Sequence, residues 1–248
     1  MSFDKQVAVV TGGASGICQA VAELLAAGGA TVCVGDLARE KGEAVCAALR
    51  KKGHKADYLP VDLTKYDSIK EFAAAVLQRY GRVDVLVNGA GWSKNTPFVD
   101  TDDAFWDKVI NLNFVGPMRL TKLLLPQMMQ QKFGKIVNVS SDAARVGSLG
   151  ETVYSGAKAG LVGFTKALAR EGARFNINVN CVCPGPTDTP LMAEVPDKYR
   201  DLFIKAIPMR RLGRPVEVAE VIVFFAGPQS AYVTGQVLSV SGGLTMAG

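Results

Sequence analysis

The stretch "VAVVTGGASGICQAVAELLAAGG", residues 7–29, decides the fold. A run of β-branched residues enters a glycine-rich turn, and the turn opens an apolar helix with Ile17, Val21 and Leu24 on one face. Gly12, Gly13 and Gly16 spell Gly-x-x-x-Gly rather than Gly-x-Gly-x-x-Gly. Glycine in such a turn adopts backbone angles closed to other residues and lets the chain approach a phosphate. A helix starting at Ser15 or Gly16 then aims unpaired N–H groups and a positive dipole end at that phosphate. Taken alone the turn is a weak signal, because a plain tight turn has the same composition. Cys18 stands where such loops commonly carry a third glycine.

Outward from this unit, strand-like and helical runs alternate. "TVCVGD", "KADYLPVD", "VDVLVNG", "KIVNVSS", "INVNCVCPG" and "GQVLSVSGG" follow the first strand as short β-branched runs, the pattern of buried parallel strands. Strand–helix alternation implies right-handed crossovers. The expectation is a single Rossmann-type doubly wound α/β domain over residues 1–248, with a seven-stranded parallel sheet flanked by helices. A proline-rich interruption at about 186–214 follows the sixth strand. Inserts at strand C-termini border the ligand crevice, so this one reads as a mobile substrate lid.

Composition narrows the function. The chain has 248 residues, 48% of them hydrophobic, which fills one large core. Its five cysteines are scattered, without a CxxC pair, and read as small core residues in a reducing, cytoplasmic compartment. A single histidine, His54, excludes a multi-histidine metal site, and no metal is expected. The net charge of +5 is spread along the chain, and "MRRLGRP" lacks interleaved aromatic residues, so no nucleic-acid partner is expected. The apolar run "VAEVIVFFAG" is short and contains Glu220, which makes it a buried helix and not a membrane span.

Two carboxylates strengthen the nucleotide reading. Asp36 ends the second strand about 20 residues after the loop, where it can bind both ribose hydroxyls of NAD. Asp62 ends the third strand, within reach of the adenine edge. A 2′-phosphate beside Asp36 meets repulsion of roughly 1 kcal/mol per charge pair in water and about 4 at partial burial. No Lys or Arg lies in "GGASG" or directly after Asp36, so NAD is favoured over NADP. The competing reading of Asp36 is a helix cap before "LAREKGE".

"TVYSGAKAG" places Tyr154 and Lys158 four apart on one helix face. "YDSIK" repeats the spacing with Tyr66 and Lys70, in a charged helix start that reads as solvated surface. Only the first copy has company: Ser141 lies 13 residues before Tyr154 (154 − 141), at a strand end facing the same crevice. Oxidising a secondary alcohol needs a base that works near neutrality. Bringing a phenol from near 10 to about 7 takes roughly 4 kcal/mol. An ammonium about 4 Å away supplies an amount of that order at an effective dielectric of 20.

With "TGGASGI", "LVNGAG", "NFVG", "IVNVSS", "YSGAK" and "CPGPTDT" in order, the chain resembles the short-chain dehydrogenase/reductase family along its whole length. The resemblance implies a catalytic group of Asn113, Ser141, Tyr154 and Lys158, with Asn113 supporting a water-linked proton relay through Lys158 and Asn111 a bystander. It implies a cofactor groove of Gly12, Ser15, Gly16, Ile17, Asp36, Leu37, Asp62, Leu63, Asn88, Ala90, Gly91, Tyr154, Lys158, Pro184, Gly185, Thr187 and Thr189, with Asn88 also bracing the central sheet. It also implies a homotetramer. Cys18 and Gly89 depart from the pattern, which has a glycine at the first position and an asparagine at the second.

"SDAARVGSLGETVY", "GAGW" and "TGQVLSVSGGLTM" look closest to dehydrogenases of hydroxycyclohexanecarboxyl compounds, including the 2-hydroxycyclohexanecarboxyl-CoA enzyme. That likeness implies oxidation of a ring secondary alcohol to a ring ketone, on a free acid or a CoA thioester. Trp92, Ser141, Arg145, Val146, Met192 and Phe203 are the candidate substrate residues, with Arg145 able to hold an acid. The alternatives are a 3-oxoacyl thioester reductase and a non-catalytic NAD(H)-sensing protein.

Overall fold

The computed structural model describes residues 2–247. Seven strands form one parallel sheet: β1 (Val7–Thr11), β2 (Thr31–Asp36), β3 (Ala56–Pro60), β4 (Val85–Asn88), β5 (Gly134–Val139), β6 (Ile177–Pro184) and β7 (Val237–Val240). Their order is β3-β2-β1-β4-β5-β6-β7. Every strand foreseen from the sequence is present, trimmed by a few residues at its ends. The order reverses between β1 and β4, which opens a crevice above the C-terminal ends of those strands.

Helices α1 (Gly16–Ala27), α2 (Arg39–Lys51) and α3 (Tyr66–Tyr80) follow the first three strands. After β4 come α4 (Asp103–Ile110) and α5 (Gly116–Gln131); after β5 come α6 (Ala143–Val146) and the long α7 (Thr152–Gly172). The segment after β6 contains α8 (Pro190–Ala193) and α9 (Asp197–Ala206), and α10 (Pro215–Ala226) leads to the last strand. One sheet face packs Val21 and Leu25 of α1, Leu49 of α2 and Ile222 of α10 into a core. The other face packs Phe72 of α3, Leu120 and Leu124 of α5 and Leu168 of α7. Each such side chain contributes about 1.5–3 kcal/mol on burial. Neither α8 nor α9 has a fully buried residue, so these two helices add little to this core.

Between α4 and α5 the helical path widens into a π-turn over Asn111–Val115. The Asn113 amide lies inside it, its Nδ2 donating to the Val109 carbonyl at 2.9 Å. Wide turns of this kind break the regular ladder and re-aim a side chain. Among the described residues, no helix is long and apolar enough to cross a membrane.

Candidate active site

The glycine turn and the loop after β4 form the wall of the crevice. Gly12 has φ +73°, and a Cβ there would lie 2.7 Å from the Ala90 Cα, so only glycine permits this approach. Ser15 precedes α1 with no side-chain cap, and the first turn holds no acid. The uncapped N–H groups therefore face the crevice as donors for an anion.

Asp36 stands at the rim. Its Oδ2 accepts from the Ala14 N–H at 3.1 Å and its Oδ1 from the Ala38 N–H at 2.9 Å. The carboxylate thus ties the glycine turn to the start of α2, and both earlier readings describe part of its role. Arg39, exposed in the first turn of α2, is the cation nearest in sequence. At the end of β3, the Asp62 Oδ1 accepts from the Thr64 N–H and hydroxyl, and the Oδ2 faces Lys65 at 3.5 Å. Partial burial pushes the Asp62 pKa up, but these donors outweigh it and hold the carboxyl below the usual range.

Lys158 is 3% exposed at the centre of the site. Its Nζ donates to the Val139 carbonyl at 2.9 Å, and burial lowers its pKa to about 8. The Nζ lies 5.7 Å from the Tyr154 ring centroid. Tyr154 keeps part of its surface open to the crevice, yet its surroundings desolvate it. Desolvation pushes the phenol above its ordinary range, the Glu151 carboxylate pushes the same way, and the Ser141 hydroxyl beside it works against them. This corrects the expectation that the ammonium makes the phenol acidic in the ligand-free protein. The Nζ hydrogen bond is to the sheet end, and desolvation dominates. Tyr66 and Lys70 share the 5.7 Å separation, but Tyr66 is 48% exposed, which confirms that pair as surface.

Asn113 is fully buried and holds the backbone of Trp92 at both ends. Its Nδ2 donates to the Trp92 carbonyl at 2.8 Å, and its Oδ1 accepts from the Trp92 N–H at 3.3 Å. Asn111 instead donates to the Asp107 carbonyl. Asn88 braces the central sheet, as the resemblance implies. Its amide points into the protein, donating to Asn138 Oδ1 at 2.8 Å and Thr121 Oγ1 at 3.1 Å, and Asn138 continues to Thr165. Its side chain braces sheet and helices and does not line the groove. Leu63, 2% exposed, is likewise a core side chain, while Leu37 is 72% exposed at the rim and Ile17 packs partly against the core.

Pro184 and Gly185 end β6, and Thr187 is tied to Gly213 by a parallel bridge. Thr189 caps α8, and its Cγ2 lies 3.3 Å from where a Cβ on Gly16 would be. The start of the segment after β6 therefore sits on the glycine turn, joining two groups of expected cofactor residues. An uncapped helix start, a carboxylate at the second strand end and a buried ammonium fit an adenine dinucleotide with a nicotinamide end.

The substrate candidates divide. Met192 of α8 and Phe203 of α9 are half-buried, and Val146 is exposed at the end of α6. Trp92 carries Lys108 3.7 Å above its ring and Phe105 at its edge. Arg145 is a correction. Its guanidinium donates to Ser239 Oγ at 3.0 Å and to the Ala247 carbonyl, so it anchors β7 and the following segment instead of meeting an acid. The sequence reading missed a second wall, a small cleft lined by Ser93, Phe98, Phe105, Val153 and Tyr154. Two contacts close it: the Thr96 N–H to the Gly150 carbonyl and the Asn95 amide to the Leu149 carbonyl, both at 2.8 Å. The aromatic residues of "FVDTDDAFW" were its only sequence signal.

The family described as enoyl-(acyl carrier protein) reductase matches residues 12–245. The 3-oxoacyl-[acyl-carrier-protein] reductase FabG of Thermotoga maritima is 42% identical, over 99% of this chain and 100% of its own. The (2S)-[(R)-hydroxy(phenyl)methyl]succinyl-CoA dehydrogenase subunit BbsD of Thauera aromatica is 37% identical over 99% of each chain. Among solved structures, a variant of actinorhodin polyketide ketoreductase with NADPH superposes with a TM-score of 0.92 at 38% identity, covering 98% of this chain and 99% of that one.

Proposed function

We propose that this chain, which belongs to the short-chain dehydrogenase/reductase family, interconverts a 3-oxoacyl thioester and its 3-hydroxyacyl form with NADH as reductant. The observation that carries the reading is the Tyr154 phenol, held protonated by desolvation beside the Ser141 hydroxyl. A protonated phenol is a proton donor, which is what carbonyl reduction requires.

A reduced nicotinamide, when bound, supplies the hydride. Ser141 donates a hydrogen bond to the substrate carbonyl oxygen and fixes it toward Tyr154. As that oxygen gains negative charge, Tyr154 gives it the phenolic proton. The Lys158 ammonium favours the phenolate left behind, and general acid catalysis of this kind contributes about 10²–10⁴-fold. In the reverse direction the phenolate takes the alcohol proton.

The relatives' names support a thioester ketone over the ring alcohol expected from the late motifs, since a 3-oxoacyl reductase and a polyketide ketoreductase are among them. The cofactor assignment rests on Asp36. The ketoreductase neighbour contains NADPH, whereas here the Asp36 carboxylate is bonded to the glycine turn, and a 2′-phosphate bound beside it would be repelled. A second reading, oxidation of a ring-bearing hydroxyacyl-CoA, is favoured by the 37% identity to the phenyl-substituted succinyl-CoA dehydrogenase subunit. A non-catalytic sensor has no use for the serine, tyrosine and lysine together. For assembly we retain the homotetramer, supported by the exposed apolar side chains of Tyr232, Leu238 and Met246 near the last strand.

The test follows NADH oxidation with acetoacetyl-CoA, alongside hydroxycyclohexanecarboxylates and their CoA thioesters with NAD. Tyr154→Phe is expected to retain NADH binding and lose about 10²–10⁴-fold in turnover. Normal turnover in that variant removes the assignment.

A further inference from the structure

The two departures from the family pattern, Cys18 and Gly89, touch each other. A Cβ on Gly89 would lie 2.0 Å from the Cys18 Sγ, far inside any contact distance. The sulfur therefore fills the space that a side chain at position 89 would enter. The surroundings have little slack. The same Cβ would be 3.1 Å from the Thr11 carbonyl oxygen, and Thr11 Oγ1 holds the Gly89 N–H at 3.1 Å. One residue further, Ala90 is the atom group against which Gly12 closes. Cys18 is 5% exposed on the inner face of α1, so its side chain is enclosed by this packing.

We propose that residues 18 and 89 act as one steric unit that sets the spacing between the glycine turn and the loop after β4. The pair that the family resemblance implies, glycine at 18 and asparagine at 89, would fill this volume from the loop. This chain fills it from the helix, with a thiol opposite glycine. Each departure alone is a defect; together they restore the packing. The thiol acts by its volume and not as a nucleophile, because burial pushes its pKa up to about 12. The contact stands independently of the nucleotide reading. Only its effect on binding rests on the function proposed above.

The test is a double-mutant cycle of Gly89→Ala and Cys18→Gly, with C18G/G89N as the full reversal to the family pair. Each variant is melted without nucleotide and then titrated with NADH by fluorescence. In the native background, G89A is expected to lower Tm by about 4 °C or more and to weaken NADH binding about tenfold. In the C18G background the same change is expected to leave Tm unchanged or raise it, and to recover binding. Equal losses in both backgrounds overturn the proposal. If G89A fails to fold, folding of C18G/G89A supports the unit and failure of both overturns it. Absence of NADH binding in the native protein counts against the proposed function, while the melting cycle still decides the coupling.

Discussion

Asn113 Oδ1 and Lys158 Nζ face the same small space. A side chain starting on Gly91 would place its first carbon 2.9 Å from the one and 3.2 Å from the other. The two groups therefore flank a gap that Gly91 keeps open, in the position the family resemblance gives to a water-linked proton path.

Gly91→Ala closes that gap while leaving Tyr154, Ser141 and Asp36 in place. Turnover is expected to fall on the order of a hundredfold, by more than any loss of NADH affinity at this groove residue. Single-turnover and steady-state reduction measured together separate the two. A variant with native turnover would show that the gap has no part in proton transfer.

Asp36→Asn removes the charge and keeps one of the two acceptor oxygens that now hold the Ala14 and Ala38 N–H groups. NADH is expected to bind more weakly and NADPH more tightly, narrowing their ratio by about tenfold after allowing for solvent screening at the rim. Dissociation constants for both nucleotides check this. An unchanged ratio would transfer the selectivity to another group, with Arg39 the first to examine.

Lys158 gives a pH signature. Burial lowers its pKa from the usual 10.5 to about 8, so the ligand-free protein loses this ammonium as pH rises through 8. The kcat/KM for reduction is expected to descend from about pH 8, since this parameter reports groups of the free enzyme. Stability moves the other way. Between about 8 and 10.5 the unfolded chain binds the proton and the folded chain does not, so this group's contribution favours folding increasingly as pH rises. A kcat/KM profile flat through pH 9 would show that the charge on Lys158 is not needed.

Much of the architecture was legible because parallel strands buried on both faces must be almost wholly apolar. "VAVVT" and "INVNCVCPG" could hardly fold otherwise, and the alternation with helices fixed the crossovers. Ser141, Tyr154 and Lys158 were legible from spacing, but spacing could not separate Tyr154–Lys158 from Tyr66–Lys70. Both pairs stand 5.7 Å apart, and only depth distinguishes them. Depth also reversed the expected direction of the Tyr154 shift, since it depends on tertiary surroundings that a helical spacing does not contain. Arg145 was misplaced for a related reason. It follows a strand near the crevice, but a partner distant in sequence, Ser239, turned the side chain away, whereas the sheet-bracing role of Asn88 appears in its bonds to Asn138 and Thr121. The π-turn that aims Asn113 has no marker in "NLNFV" that an ordinary helix lacks.

The amide pair joining Asn88 to Asn138 has a wider consequence. The middle of the sheet is built from short valine-rich strands that resemble one another closely enough to be mispaired. Asn88 and Asn138 are direct neighbours in the β4–β5 register, and a slip by a single residue would strand both amides in hydrocarbon. The pair works as an address label, telling each strand which partner to take and at what height. Because Gly91 continues from one strand and Ser141 from the other, the alignment of the reacting groups is inherited from a recognition event buried one layer below them.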